Sequence, residues 1–134
     1  MIKNSYKYNK AWQIVYATYP LFLRLLEKLG AHNTRQDYHL GFIKENTDIN
    51  QVKKRLKSFG FEHAILAWRD RNEVLSMRLV HEQVYQYHIR IYSDGEVRSH
   101  YEYSSEGAPI AHILEKKFTP EPEFFKQIMK VVLK

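Results

Sequence analysis

The residues with the greatest chemical reach lie in two stretches, His88-Ile89-Arg90 and Arg98-Ser99-His100-Tyr101-Glu102, joined by a Ser-Asp-Gly turn signal. If the chain folds back antiparallel across that turn, His88 lies opposite His100 and Arg90 opposite Arg98. Two facing imidazoles with Glu102 beside them offer a donor set for a divalent metal. They also offer an acid–base pair working near neutral pH. Guanidinium forks match phosphate or carboxylate geometry. Like charges directly opposite on a sheet repel, so an Arg90–Arg98 pair implies either an anion between them or side chains splayed into water. Arg78 belongs to the same set on the preceding stretch. The spacing follows from an inferred pairing rather than a motif, so the same residues also read as plain solvent-facing sheet side chains.

A second basic group is Lys53, Lys54 and Lys57, with Arg55 among them. These lie on one side of a helix pattern. A charge run of this kind reads first as a solvated helix face, and more sharply as an anion-binding surface.

Positioning these side chains requires a sheet. From Glu62 onward the pattern predicts a meander of four strands, near 62–70, 73–80, 84–92 and 96–103. A two-residue turn at Asp94-Gly95 would mix polar and apolar residues on both faces, which a half-buried sheet avoids. A three-residue loop at Ser93-Asp94-Gly95, with Gly95 in the left-handed region, pairs Ile91 with Val97, Tyr87 with Tyr101 and Tyr85 with Tyr103. The same face-matching places a loop at His81-Glu82-Gln83, with Leu79 opposite Tyr85. It also places a turn at Arg71-Asn72, with Trp68 opposite Leu75 and Leu66 opposite Met77. One face is then apolar and aromatic, and helices should pack on it. The other carries Ser76, Arg78, Gln86, His88, Arg90, Arg98, His100 and Glu102. It turns less polar toward Ile65, Ala67, Val74 and Val80, so part of it is expected to be covered.

Before the meander, Trp12 to Leu29 has helical spacing interrupted by Pro20. It reads as one kinked helix or two short ones, apolar on nearly every side. Tyr38–Phe42 alternates as a short strand. Asp48-x-x-Gln51 resembles a capping box, and Gly60 ends the helix that follows. After the meander, residues 110–118 fit a fifth strand or a helix starting at Pro109. Thr119-Pro120 predicts the N-terminus of a last helix carrying Phe124, Phe125, Ile128, Met129, Val132 and Leu133. The fold class is therefore α+β: an antiparallel meander sheet of four to five strands, packed on one face by N-terminal, middle and C-terminal helices. Residues 1–134 read as one domain, with no repeat or linker.

Composition narrows the function classes. The chain is 44% hydrophobic and 27% charged, with a net charge of +6. A basic surface favours phosphate-bearing partners. Cysteine is absent, which removes disulfides, thiolate catalysis and Cys-type metal sites. The N-terminus has no apolar run of the signal-peptide kind, and the apolar stretch near Tyr19–Leu26 is too short to span a bilayer. A cytoplasmic protein with no membrane partner is the expectation. His32, His39, His63, His81 and His112 show no ligand spacing. No phosphate-binding glycine loop, nucleophile elbow or RNA-recognition signature occurs, and no cofactor is expected.

Three functions fit, in descending order. The first is a non-catalytic binding module for an anionic partner, most plausibly nucleic acid, using Arg78, Arg90, Arg98, His88, His100, Lys53, Lys54 and Lys57. The second is a protein-interaction or homodimerisation domain, resting on tyrosine content and the very apolar first helix. The third is a histidine-dependent phosphoester-type hydrolase. It ranks last because no nucleophile or metal motif accompanies the histidine pair.

Overall fold

A computed structural model describes residues 9–31 and 35–134; His32 and the first eight residues lie outside it. The fold is α+β. Helix α1 (Lys10–Lys28) is followed by β1 (Tyr38–Phe42), α2 (Ile49–Ser58), β2 (Glu62–His63), β3 (Glu73–His81), β4 (Tyr85–Tyr92), β5 (Glu96–Tyr103), α3 (Pro109–Leu114) and α4 (Pro122–Met129). The strands form one antiparallel sheet in the order β1-β5-β4-β3-β2. Among the described residues, no helix is long and apolar enough to cross a membrane.

The β4–β5 hairpin has the expected register. Ile91 pairs with Val97, Arg90 with Arg98, His88 with His100 and Tyr85 with Tyr103. Gly95 has φ +88°, a value that a side chain would strain. The β3–β4 hairpin keeps the expected faces but shifts by two residues, with Leu79 opposite Tyr87 and His81 opposite Tyr85. Its loop is Glu82-Gln83-Val84, and Glu82 and Gln83 both adopt positive φ. Sheet faces alternate with period two, so a two-residue slip leaves every side chain on its own side and face-matching cannot detect it.

The apolar face packs as expected against α2 and α4. Leu75, Met77, Ile89, Ile91 and Val97 form one buried cluster with Val52, Leu56, Phe61, Phe125, Ile128 and Met129. Asp48 caps α2 by accepting from the Asn50 amide at 3.0 Å. The helix closes in a Schellman motif, Gly60 donating to Lys57 and Phe61 to Leu56, with Gly60 at φ +97°.

Four expectations are corrected. Helix α1 runs unbroken through Pro20 and lies on the polar side of the sheet, where Tyr19 shares a cavity with Arg78 and His88. Tyr16 and Tyr19 suit that side because each couples a large ring to a polar tip. Only Glu62 and His63 of the expected 62–70 strand pair with β3, opposite Arg78 and Met77. Beyond Ala64 the chain turns over the polar face, and the Trp68 carbonyl there accepts from Arg90 at 3.1 Å. Helix α4 begins at Pro122 rather than beside Thr119. Thr119 instead exchanges two backbone hydrogen bonds with Tyr101, at 2.7 and 3.0 Å. Of the two readings of 110–118, the helix starting at Pro109 is the one found, over Pro109–Leu114.

Candidate functional site: a buried charge network beneath a polar cavity

The polar face of the sheet is interior. Arg78 is 5% exposed, His88 and Arg90 2%, His100 0% and Glu102 5%. Buried charge is costly unless it is paired and hydrogen-bonded, and here each charge has partners drawn from distant parts of the chain.

Asp37, just before β1, is the central acceptor. Its two oxygens take hydrogen bonds from Arg90 Nη1 and His100 Nδ1. Arg90 also reaches Glu73 at 3.4 Å and Asp70 at 3.9 Å. The anion implied by facing arginines is thus supplied for Arg90 by the protein itself. Arg98 turns aside to Glu96, 2.7 Å from Nε, and stays partly exposed. Arg78 donates to Glu106 at 2.7 Å and to Gln86 at 3.0 Å, and its other terminal nitrogen lies 3.3 Å from Glu62. Ser104 and Gly107 position Glu106. The Gly107 amide donates to Ser104 Oγ, which donates to the Gln83 carbonyl.

The facing histidines occupy different environments. His100 lies between two carboxylates, Asp37 on Nδ1 and Glu102 3.0 Å from Nε2. Its ring stacks on Phe118 with centroids 3.6 Å apart and an interplanar angle of 6°. Burial pushes the imidazolium pKa down, but contact with Asp37 and Glu102 outweighs this and raises it. Burial likewise pushes Asp37 and Glu102 up, and contact with His100 brings both below the ordinary carboxylate range. Among the described residues His88 has no carboxylate hydrogen-bond partner, and it contacts Ser76 Oγ at 2.7 Å. Burial, reinforced by the charges of Arg90 and His100, drives its pKa well down, so it is neutral at pH 7. Burial raises Glu73 as well.

In this network six carboxylates, Asp37, Glu62, Asp70, Glu73, Glu102 and Glu106, meet three guanidiniums, Arg35, Arg78 and Arg90. A cavity of about 180 Å³ opens over it, bounded by Tyr19, the 64–68 segment, Phe118 and the sheet. Its charged lining is Arg35, Arg78, Arg90 and Glu102, joined by His88 and His112. The carboxylates of Asp37, Glu62, Asp70, Glu73 and Glu106, which balance the arginines, are not part of this lining.

The site residues read from sequence therefore fall into separate groups. Arg78, His88, Arg90 and His100 come together inside the protein, and Arg98, on β5, turns away from them toward Glu96 and stays partly exposed. Lys53, Lys54 and Lys57 belong to α2, which packs on the opposite face. Sequence reasoning missed Asp37, Glu62, Glu73 and Glu106. Asp37 is 53 residues from Arg90 and 63 from His100, a separation that no local spacing reveals. The available signal was indirect: covering a sheet face that bears arginines requires acids from elsewhere. No known protein family matches the chain, and neither does any curated protein or solved structure.

Proposed function

We propose that the chain is a binding module that takes a small anionic ligand, carrying a phosphate or carboxylate group, into the polar cavity. The observation that carries this reading is the asymmetry of charge around the cavity. Among the described residues, three guanidiniums line it against the one carboxylate of Glu102, while Asp37, Glu62, Glu73 and Glu106 are not part of the lining. Pre-oriented donors at a desolvated wall favour an anion that fits between them.

A polymer such as nucleic acid fits less well. Its phosphates would meet Lys54 and Lys57 on the outside of α2 and would not reach Arg78 or Arg90. Calorimetric titration with inorganic phosphate and with acetate, in buffer containing a chelator, tests the proposal. Binding is expected for wild type, weakened by Arg35→Gln at the cavity wall and indifferent to the pair Lys54→Glu, Lys57→Glu. Absence of small-anion binding, together with oligonucleotide binding that the lysine reversals abolish, would overturn it.

A second reading, association through α1, is favoured by a separate observation. Ile14, Leu21, Phe22 and Leu25 on that helix, with Leu29 at its C-cap, are between 51% and 75% exposed, more apolar surface than a lone helix face usually leaves in water.

A further inference from the structure

We propose that His88, His100 and Glu102 form a binding site for a divalent transition metal of the zinc type on the floor of the cavity. The inference goes beyond the anion reading and does not depend on it. One ligand atom from each residue lies within 4.8 Å of the others, and all three residues are buried. Two imidazoles and one carboxylate are a donor set suited to Zn²⁺ and its neighbours in the first transition row.

Three features separate this cluster from a chance grouping. First, His100 Nε2 and Glu102 Oε2 are buried with no well-aligned hydrogen bond, although Nε2 is 3.0 Å from the other Glu102 oxygen and Oε2 lies 3.5 Å from His112 Nδ1 and 3.7 Å from Arg35 Nη1. An unsatisfied buried polar atom calls for an absent partner, and a cation among these donors would engage both atoms. Second, the outer shell of a metal site is already built. Asp37 takes the other ring N–H of His100, the arrangement that fixes tautomer and orientation in metal-bound histidines. Gln86 donates to Glu102 at 2.6 Å, Ser76 holds His88, and Phe118 holds the plane of His100. Third, five carboxylates besides Glu102 itself stand against the three guanidiniums of the network, so their charges do not sum to a basic environment for a dication. Arg35 lies 3.7 Å from Glu102 Oε2, and the charges of Arg78 and Arg90 are offset by Glu106 and Asp37.

His88 and Glu102 line the cavity, which leaves the coordination positions that the protein does not fill facing that space. A metal held there would lie within reach of an anion entering it.

The test uses the full chain, stripped with chelator and titrated with Zn²⁺ alone by calorimetry. One ion per chain is expected. His88→Ala and Glu102→Gln should abolish binding, and Asp37→Asn should weaken it about 10- to 100-fold. Because a buried substitution can impair folding, histidine-ring NMR of the wild type supplies an independent readout. The His88 and His100 ring signals should move together at one equivalent of Zn²⁺, while those of the exposed His39 and His63 stay in place. No stoichiometric binding would overturn the inference. So would movement of the exposed histidines alone. Binding lost in His112→Ala but kept in His88→Ala would shift the ion to Glu102, His112 and Glu115 and also overturn it. Phosphate binding is measured in the presence of chelator, so failure here leaves that reading with its own separate outcome.

Discussion

Asp37 shows how much of the interior depends on one short side chain. Its carboxylate is 3% exposed and joins Arg90 of β4 to His100 of β5. Asp37→Asn keeps the shape but removes the charge, leaving the buried Arg90 guanidinium short of an anion and the His100 ring without its carboxylate acceptor. A loss of about 3–5 kcal/mol in unfolding free energy is expected from urea denaturation, as for other broken buried pairs. A loss no larger than that of a surface substitution would show that water or other carboxylates take its place. On the apolar face the tyrosine cluster makes a different prediction. Burial, with Tyr87 and Tyr85 packed alongside, pushes the Tyr101 phenol up to about 12. The folded state then resists ionisation that the unfolded chain undergoes near pH 10. Stability from this residue is therefore full below pH 10 and declines as pH rises from 10 toward 12. The difference in phenolate absorbance between wild type and Tyr101→Phe should show a midpoint near 12, and a midpoint near 10 would refute this placement. At this scale the sequence exposed half of the site. The His88–His100 and Arg90–Arg98 pairs followed from hairpin register, because register is written in local alternation. The acids that complete them are placed by tertiary packing and carry no local pattern.

The secondary-structure elements were legible where one physical signal acted alone. The capped helix α2, the short strand β1 and the β4–β5 hairpin match expectation because Asp48, Gly60 and Gly95 each have a specific backbone role. Expectation failed where two signals competed. The apolar alternation of 62–70 resembles a strand, but the need to cover Arg90 draws the Trp68 carbonyl over the polar face. Thr119 has the chemistry of a helix cap, yet its backbone is engaged by Tyr101. The turn from Ser104 to Ala108 gives the clearest test at this scale. A Cβ on Gly107 would lie 1.7 Å from the Gln83 carbonyl oxygen, a backbone atom with little room to yield. Gly107→Ala should destabilise the protein by about 1–3 kcal/mol or more, and it should pull Glu106 away from Arg78. Chemical denaturation gives the magnitude. Unchanged stability would mean that the 82–84 loop relaxes freely.

For the molecule as a whole, the sheet has helices on both sides, but its two layers differ in kind. One side is a conventional apolar core beneath α2 and α4. The other is an ionic layer beneath α1, which buries Leu23 and leaves much of its own apolar surface in water. If that surface mediates self-association, sedimentation velocity should show mass rising with concentration, and Leu21→Lys with Leu25→Lys should abolish the rise. Both side chains are more than half exposed, so thermal stability should change little. A single monomeric species at every concentration would exclude self-association through this face.

The margins of the sheet bear on a different question, how the chain resists forming fibres. A free strand edge invites another strand and can template aggregation. On one margin, β1 carries an irregularity between His39 and Gly41, and its far end is joined by the last residues of the chain, Lys44 to Val132 and Lys134 to Phe42. On the other, β2 is only two residues long before the chain leaves the sheet. Among the described residues, the β1 margin offers no long, flat row of unpaired amides, which guards the tyrosine- and isoleucine-rich strands beside it against cross-β stacking while the protein stays folded.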